Sequence, residues 1–225
     1  MEYFSRNLDS ISTEQQQLLQ QKRIAIIGCG GLGGYVIEEL ARIGIGQLHL
    51  FDPDTFSASN RNRQLNALDS TMDHNKAEVA STRVTSIHPY CQTRAFCADF
   101  RKVSEEQGFG VDAVVDCLDD VQARYDLADL CGRLQLPLIH GAVNGWFGQV
   151  GVQLPGNDLI GRLYPKRDGE RAQLQAPSVL SFTVALVASL QAAETVKILL
   201  DLWSPLQTGW LYIDLKENDF LLHEF

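Results

Sequence analysis

The sequence predicts an α/β protein built on a doubly wound, mainly parallel sheet with helices on both faces and closing antiparallel strands. Three observations predict this fold. Apolar strand-like runs alternate with helical repeats along most of the 225 residues, which is the pattern of βαβ units. A glycine cluster directly follows the first apolar run. The C-terminal stretch "GWLYIDLKENDFLLHEF" has the pattern of a pair of closing strands.

The N-terminal elements form the first βαβ unit. Residues 12–22, "STEQQQLLQQK", begin with cap-like hydroxyl side chains and favour a short helix. The run "RIAIIG" (23–28) is a buried strand, and "GLGGYVIEELARIG" (31–44) is a helix with apolar side chains at helical spacing. "QLHLFD" (47–52) is the second strand.

The remaining elements continue the alternation as far as one polar segment. We expect helices over 75–89, 121–135 and 178–201, and strands within 91–99, 111–120 and 137–154. Residues 155–177, "PGNDLIGRLYPKRDGERAQLQAP", are rich in Gly, Pro and charge and are predicted to be a long loop without regular structure. A loop of this length is unusual inside a compact domain and is often functional.

Composition excludes several classes of protein. Hydrophobic residues make up 45% of the chain and charged residues 21%, which is typical of a globular protein. No run approaches the ~20 continuous apolar residues of a membrane span, and the N-terminus lacks a signal-peptide core, so we expect a cytoplasmic protein. The net charge of −9 argues against a nucleic-acid partner. The five cysteines form no CxxC pair, which argues against a disulfide framework.

The glycine cluster has the spacing of a nucleotide-binding, Rossmann-like loop. Gly28, Gly30 and Gly33 fit G-x-G-x-x-G between a strand and a helix, and Asp52 ends the following strand. In such loops the glycines permit a tight turn and a close approach to phosphate, and the acidic residue accepts hydrogen bonds from a ribose. Taken alone, this fingerprint favours a nicotinamide or flavin cofactor.

The segment after Asp52 favours a triphosphate instead. Asn60, Arg63, Gln64 and Lys76 cluster in sequence near the carboxyl end of the second strand. Two cations and an amide there can hold the β- and γ-phosphates and offset charge as pyrophosphate leaves. The alternative is that Arg63 and Lys76 are solvated surface charges, as most such residues are.

Six motifs in one order resemble the family of MoeB, ThiF and the ubiquitin-activating enzymes, and they span nearly the whole chain. The motifs are "YFSRN", "GCGGLGG", "FDPDTFSASNRNRQL", "NKAEVA", "VVDCLDD" and "SLQAAETVKILL". The resemblance implies a single adenylation domain over 1–225 that attaches AMP to the C-terminus of a ubiquitin-like protein. Its expected parts are an arm and helix (1–22), a nucleotide-binding core (23–154), a crossover loop (155–177), and a C-terminal helix with closing strands (178–225).

The resemblance also implies a role for each site residue. ATP is expected to be bound by the glycine loop, by two aspartates and by an amide, which are Gly28, Gly30, Gly31, Gly33, Asp52, Asp54 and Gln64. The residues expected at the phosphates and the reacting centre are Arg6, Asn60, Arg63, Lys76 and Asp119. Asp119 is the expected Mg²⁺ ligand, and Asp116 is expected to be structural. Asp120 stands where the family usually has Asn, which adds a negative charge beside the expected phosphates. Arg61 replaces the usual Leu, and the resulting "NRNRQ" is similar to the related tRNA threonylcarbamoyladenosine cyclising enzymes.

Arg6 is implied to be an arginine finger that reaches the ATP of the other subunit of a homodimer. The alternative is an N-terminal arginine with no role.

The cysteine pattern departs from the family. Many relatives carry two CxxC pairs for a structural zinc, and this chain has none, so no zinc is expected. No cysteine follows Cys131, so residues 155–177 provide no sulfur nucleophile and the reaction should stop at the adenylate. Cys29 and Cys117 are interpreted as packing residues. His140 either lines a channel for the peptide tail or is a satisfied buried histidine, and Trp146 and Phe147 either cover that channel or fill the core.

The sequence therefore predicts an ATP- and Mg²⁺-dependent adenylyltransferase whose partner is a ubiquitin-like sulfur carrier ending in Gly-Gly. Three alternatives stay open at this point: a tRNA-modifying relative, a nicotinamide-dependent oxidoreductase, and a non-catalytic scaffold.

Overall fold

The computed structural model describes residues 2–165 and 178–225. The strands are β1 (Arg23–Ile27), β2 (Gln47–Phe51), β3 (Gln92–Phe96), β4 (Ala113–Asp116), β5 (Leu138–Asn144), β6 (Phe147–Gln153), β7 (Gly209–Asp214) and β8 (Asp219–Glu224). The helices are α1 (Thr13–Leu19), α2 (Gly31–Ile43), α3 (Lys76–Ile87), α4 (Glu105–Gly108), α5 (Val121–Leu134), α6 (Leu159–Leu163) and α7 (Ser181–Leu199).

All eight strands form one sheet in the order β3-β2-β1-β4-β5-β6-β7-β8. The first five strands run parallel, and β6, β7 and β8 add antiparallel neighbours. This confirms the predicted doubly wound sheet with closing antiparallel strands. The strand order reverses direction between β1 and β4, and clefts at such switch points are the usual ligand sites of open α/β sheets.

Two hydrophobic layers cover the two faces of the sheet. One layer packs α2, α3 and α7 against it, with Leu40, Val84 and Val187 fully buried. The other layer packs α5 and α6, with Leu127 and Ile160 fully buried. The central strands are buried on both faces, which explains why their sequences are continuous apolar runs rather than alternating ones.

Local signals set the ends of the helices that border the site. Asn75 accepts hydrogen bonds from the N–H groups of Ala77 and Glu78 and thereby caps α3, as N-terminal Asn does. Asp120 caps α5 in the same way by accepting from the N–H of Ala123 at 2.7 Å.

The prediction of an unstructured loop over residues 155–177 is wrong for the part that the structure describes. Asp158 accepts a hydrogen bond from the N–H of Gly161 and starts the short helix α6. Leu159 and Ile160 are fully buried, and the Ile160 N–H donates to the Gln153 side chain at 3.1 Å. Two apolar residues after a capping aspartate were enough to anchor this stretch to the sheet. Residues 166–177, the rest of the predicted loop, lie outside the described residues.

Helix α7 also has the length and composition of a membrane-crossing helix, with a mean hydropathy of 1.4 over an 18-residue window. In the described part of the chain it is the one helix that meets these criteria, and 50% of that window is buried inside the protein. It packs on α2 and on the sheet, and this burial accounts for its apolar composition.

Candidate functional site

The glycine loop lies where β1 meets β2 and β4, at the carboxyl ends of the parallel strands. Gly28 has a φ of +97°, and its N–H donates to the Phe51 carbonyl at 2.8 Å. A Cβ on Gly28 would lie 2.7 Å from the Cys117 carbonyl oxygen, and a Cβ on Gly33 would lie 1.8 Å from the Gly28 carbonyl oxygen. Both positions therefore require glycine, as the sequence predicted.

The N-terminus of α2 opens onto this loop. Gly30 precedes Gly31, the first residue of the helix, and offers no side chain to cap it. The first N–H groups of a helix have no partner within the helix and favour an anion. Gln64 lies beside this end: its Nε2 would be 3.2 Å from a Cβ on Gly30, and its Oε1 is buried without a hydrogen-bond partner in the structure. This end of α2 is suited to a phosphate group.

Asp52 is locked to the glycine loop. Its Oδ2 accepts from the Cys29 N–H at 2.8 Å, and its Oδ1 accepts from the Asp54 N–H at 2.9 Å. Burial raises the pKa of Asp52 above its ordinary value, while these two N–H groups and the nearby Lys76 lower it. The carboxylate therefore has a fixed orientation, and its remaining lone pairs can accept from ribose hydroxyls.

Lys76 is the buried cation of the site. It is 7% exposed, and its Nζ lies 3.0 Å from Oδ2 of Asp54, whose side chain is mostly exposed. Asn75 supports this pair, because its Nδ2 donates to the carbonyls of Asp52 and Asp54 at 3.0 and 3.1 Å. Sequence reasoning missed Asn75, although its place immediately before a helical repeat is a recognisable capping signal.

Asn60, Arg63 and Gln64 lie on one turn beside the glycine loop. The Asn60 carbonyl accepts from the N–H groups of Arg63 and Gln64, and its buried side chain accepts from the Ser57 N–H at 3.0 Å. Arg63 is half-buried, and its Nη1 donates to the Ser59 carbonyl at 3.0 Å. Arg63 is therefore anchored locally rather than free in solvent.

Asp119 follows β4 and belongs to the same edge of the sheet. Two residues earlier, Cys117 continues the pairing of β4 with β1, since its N–H donates to the Ile27 carbonyl at 2.9 Å. Asp119 is exposed, and its side chain forms no hydrogen bond or ion pair with the residues that the structure describes. An exposed carboxylate at this edge fits Mg²⁺, which prefers oxygen ligands and commonly takes one or two carboxylates plus phosphates. Among the described residues no three His, Cys, Asp or Glu side chains are grouped to hold a metal ion, so these residues by themselves form no complete metal cage.

Asp120 and Asp116 have structural contacts. The unusual Asp120 is the cap of α5, which accounts for an acidic residue there. Asp116 is fully buried and pairs with Nδ1 of His140 at 2.7 Å. His140 is itself fully buried; burial lowers its pKa and the Asp116 carboxylate opposes that shift. Of the two sequence interpretations of His140, the structure favours the satisfied buried histidine.

Arg6 is not brought to the site within its own chain. The neighbouring Phe4 ring packs against Gly44, at the far end of α2, and Asn7 contacts the Ile43 carbonyl there. Helix α2 has 13 residues, so this end is about 20 Å from the glycine loop at 1.5 Å per residue.

Trp146 and Phe147 lie at the turn between β5 and β6, on the carboxyl side of the sheet. They are 43% and 40% exposed, so the alternative that they fill the core is wrong.

The cysteines show no activated thiol: burial raises the pKa of Cys91 and of Cys131 to about 12. Cys29 is fully buried, as expected of a packing residue, and Cys117 is half-buried.

Together these groups are suited to a nucleoside triphosphate. They offer a helix N-terminus and a buried lysine for phosphates, a fixed carboxylate for a ribose, and an exposed carboxylate for a divalent cation. All of the predicted site residues except Arg6 lie at one edge of the sheet.

Comparisons with known proteins agree with this geometry. The model of the ThiF family matches residues 4–225. The sulfur carrier protein ThiS adenylyltransferase of Escherichia coli is 30% identical over 201 residues, covering 88% of this chain and 80% of that protein. The tRNA threonylcarbamoyladenosine dehydratase of Bacillus subtilis is 36% identical over 145 residues, covering 63% of this chain and 57% of that protein.

Among solved structures, Escherichia coli MccB with AMPCPP and MccA is similar in fold, with a TM-score of 0.84 and 20% identity. The alignment covers 99% of this chain and 71% of MccB, and in other MccB structures the chain spans 64–66% of that protein's length. At this identity the likeness supports the fold alone.

Proposed function

The chain belongs to the ThiF family and is an adenylyltransferase, and from this premise we propose that it activates the C-terminal glycine carboxylate of a ubiquitin-like sulfur carrier. The product is an acyl-adenylate, and pyrophosphate is released. The observation that carries the proposal is the grouping of Asp52, Lys76 and Asp119 with the glycine loop at one edge of the sheet. A dinucleotide oxidoreductase has no use for the buried lysine and the exposed Asp119.

The reaction requires the site to bring two anions together. A carboxylate oxygen of the carrier's last glycine attacks the α-phosphorus of ATP, and the bond from that phosphorus to the bridging oxygen of pyrophosphate breaks. No general base is needed, since a terminal carboxylate is ionised at pH 7. The barrier is lowered by alignment and by positive charge near the leaving group.

The residues divide this work by position. The glycine loop and the N-terminus of α2 hold phosphate oxygens, and Asp52 holds the ribose. Lys76, Arg63, Asn60 and Gln64 surround the β- and γ-phosphates. Asp54 lies beside Lys76 and completes the nucleotide site. Asp119 would hold Mg²⁺, which neutralises charge on the phosphates when it is bound.

The carrier is proposed to dock at the carboxyl edge of the sheet, where Trp146 and Phe147 are exposed. A compact carrier offers an apolar face to such aromatic side chains, and its extended Gly-Gly tail reaches the α-phosphate. Exposed aromatic side chains at an otherwise polar edge are typical of protein interfaces.

A homodimer in which Arg6 acts on the partner's ATP is part of the proposal. The distance of the arm from the glycine loop supports this, because Arg6 has no path to its own site while Phe4 stays packed on Gly44. Mixing R6A with K76M tests it: a dimer of the two variants retains one site with both groups. Refolding a 1:1 mixture should restore about a quarter of the wild-type activity if dimers form at random. Failure of the mixture to exceed either parent would show that Arg6 does not act across subunits.

The central experiment is ATP–pyrophosphate exchange with Mg²⁺ and a panel of carriers ending in Gly-Gly. We expect exchange that depends on one carrier and that D119N abolishes. D129N is the matched control, since Asp129 is an exposed carboxylate on α5 away from the strand ends. ATP binding without exchange on any carrier would refute carrier activation. NAD(H) binding that displaces ATP would return the protein to the oxidoreductase class, and binding of neither nucleotide would support a scaffold.

A second candidate is activation of a carboxylate attached to a tRNA nucleoside. The 36% identity to the Bacillus subtilis dehydratase and the "NRNRQ" run favour it, whereas the net charge of −9 opposes tRNA binding. tRNA-dependent AMP formation that weakens steeply with salt would support this candidate over the carrier.

The remaining parts of the proposal concern the context of the reaction. We propose that residues 1–225 work as one adenylation unit in the cytoplasm, without a structural zinc. Zinc analysis of the purified protein tests the last point.

A further inference from the structure

A buried polar cluster holds the turn that carries Asp119. The Leu118 N–H donates to Oδ1 of Asp116 at 2.9 Å. The Leu118 carbonyl accepts from Nη2 of Arg124, on the first turn of α5. Both backbone polar groups of the residue before Asp119 are therefore fixed by side chains.

Arg124 is in turn held from two sides. Its Nε lies 3.5 Å from Oδ2 of Asp116, the oxygen that also pairs with His140. Its Nη1 donates to the Tyr164 hydroxyl at 3.1 Å, and that hydroxyl also accepts from Nε2 of Gln149 at 2.7 Å. Arg124 is 7% exposed, and Asp116 and His140 are fully buried. The cluster thus connects the turn to the residue that follows α6.

Stability alone does not account for this arrangement. A buried ion pair loses the hydration of both charges, and well-packed apolar residues in its place are often as stable or more stable. The cluster instead ends at a short turn that carries the exposed Asp119, whose carboxylate has no partner among the residues that the structure describes. Groups that bind a cation must be held within about 0.5 Å of the productive position, and their supporting residues do this.

We propose that Arg124 is a positioning residue that fixes the Asp119 turn for metal–nucleotide binding, and that Tyr164 orients Arg124. This inference rests on the proposed role of Asp119. Lysine at position 124 keeps a charge near Asp116, but it lacks the planar fork that reaches Leu118, Asp116 and Tyr164 together. The turn then samples positions in which Asp119 points away from the phosphates.

The test compares R124K and Y164F with R133K. Arg133 lies on the same helix and pairs with the exposed Glu105 at 2.8 Å, so its change controls for losing an arginine from α5. We expect R124K to weaken binding of Mn²⁺·AMPCPP, followed by the electron paramagnetic resonance of Mn²⁺, by about 10-fold or more. We expect Y164F to weaken it by about fivefold, the worth of one hydrogen bond. R133K should match the wild type.

Two further measurements separate positioning from general loosening. Hydrogen exchange of the Leu118 amide should accelerate in R124K without a change in the strands of the sheet. In pyrophosphate exchange, the Mg²⁺ concentration for half-maximal rate should rise about 10-fold while the KM for the carrier stays constant.

Either of two results would overturn the inference. One is unaltered Mn²⁺·AMPCPP affinity in R124K, or in Y164F should R124K fail to fold. The other is an R124K protein whose activity falls only in proportion to its unfolded fraction, while the Mg²⁺ concentration for half-maximal rate stays unchanged. The proposed function fails separately: if the wild type activates no carrier while R124K still shows weaker Mn²⁺·AMPCPP binding and faster Leu118 exchange, positioning stands and carrier activation does not.

Discussion

Replacing Gly33 with alanine tests the packing of the glycine loop. The added Cβ would lie 1.8 Å from the Gly28 carbonyl oxygen and 2.8 Å from its carbonyl carbon. Ordinary contacts between heavy atoms begin near 3.5 Å, so a backbone shift of about 1.7 Å is required. Both groups are main chain in the tightest turn of the site, and no rotamer change can relieve the contact.

The neighbouring Gly34 provides the matched control. A Cβ there would meet Leu65 at 3.5 Å, which is ordinary contact. Because Gly34 is inside α2, alanine should stabilise the helix by up to about 1 kcal/mol. Overpacking typically costs about 1–3 kcal/mol, and G33A should lie at or above the top of that range because rigid backbone must move.

Denaturant unfolding and thermal melting measure the difference. For a chain of this size, about 3 kcal/mol lowers the Tm by about 6–12 °C, whereas G34A should leave it unchanged or slightly higher. ATP affinity should fall in G33A because the loop is displaced. A G33A protein as stable as G34A would refute the close approach of Gly33 to Gly28.

Three further changes test other parts of the site. K76M should lower the rate of pyrophosphate exchange by about 100-fold or more. Its free energy of unfolding should stay within about 1 kcal/mol of the wild type, because the Asp54 carboxylate that loses its partner is exposed to water. A normal exchange rate would show that Lys76 is not part of the site. H140Q should flatten the pH dependence of stability. Burial lowers the pKa of His140 below its ordinary 6.5, so as the pH falls this histidine is protonated in the unfolded chain before it is protonated in the folded protein. The wild-type free energy of unfolding should therefore fall by up to about 1.4 kcal/mol per pH unit as the pH drops below 6.5, and parallel wild-type and variant profiles would contradict this sign. D120A should destabilise the protein by about 0.5–2 kcal/mol through loss of the α5 cap, whereas D120N should retain most of the wild-type stability. Equal losses of stability in the two variants, measured by chemical denaturation, would exclude a capping role.

Much of the fold could be predicted because its signals are local. The apolar runs of β1 and β4 and the glycines after β1 report burial and turn geometry at the residues themselves. Parallel pairing then brings residues from the ends of separate strands to one edge, so Asp52 and Asp119 could be placed near the glycine loop. Lys76 could be placed there as well, because its helix begins directly after that edge.

The remaining features depend on contacts between residues distant in sequence. No periodicity shows that Arg124 and Tyr164 meet beneath the Asp119 turn, 40 residues apart along the chain. Composition made the stretch around Leu159 resemble a loop, although two buried side chains fix it. The family pattern compares Asp120 with an Asn at a phosphate site, whereas in the structure its side chain caps the helix that follows it.

The pairing of Lys76 with Asp54 has a consequence for how the nucleotide enters and leaves. Lys76 is buried, so an ammonium group there without a counter-ion would destabilise the fold. In the protein without nucleotide, the Asp54 carboxylate already serves as that counter-ion. Because the Asp54 side chain is 68% exposed, it can swing into water when phosphate oxygens take its place, and it can return when pyrophosphate departs. In the proposed reaction Lys76 would therefore exchange one anion for another, and product release would leave no buried positive charge without a counter-ion.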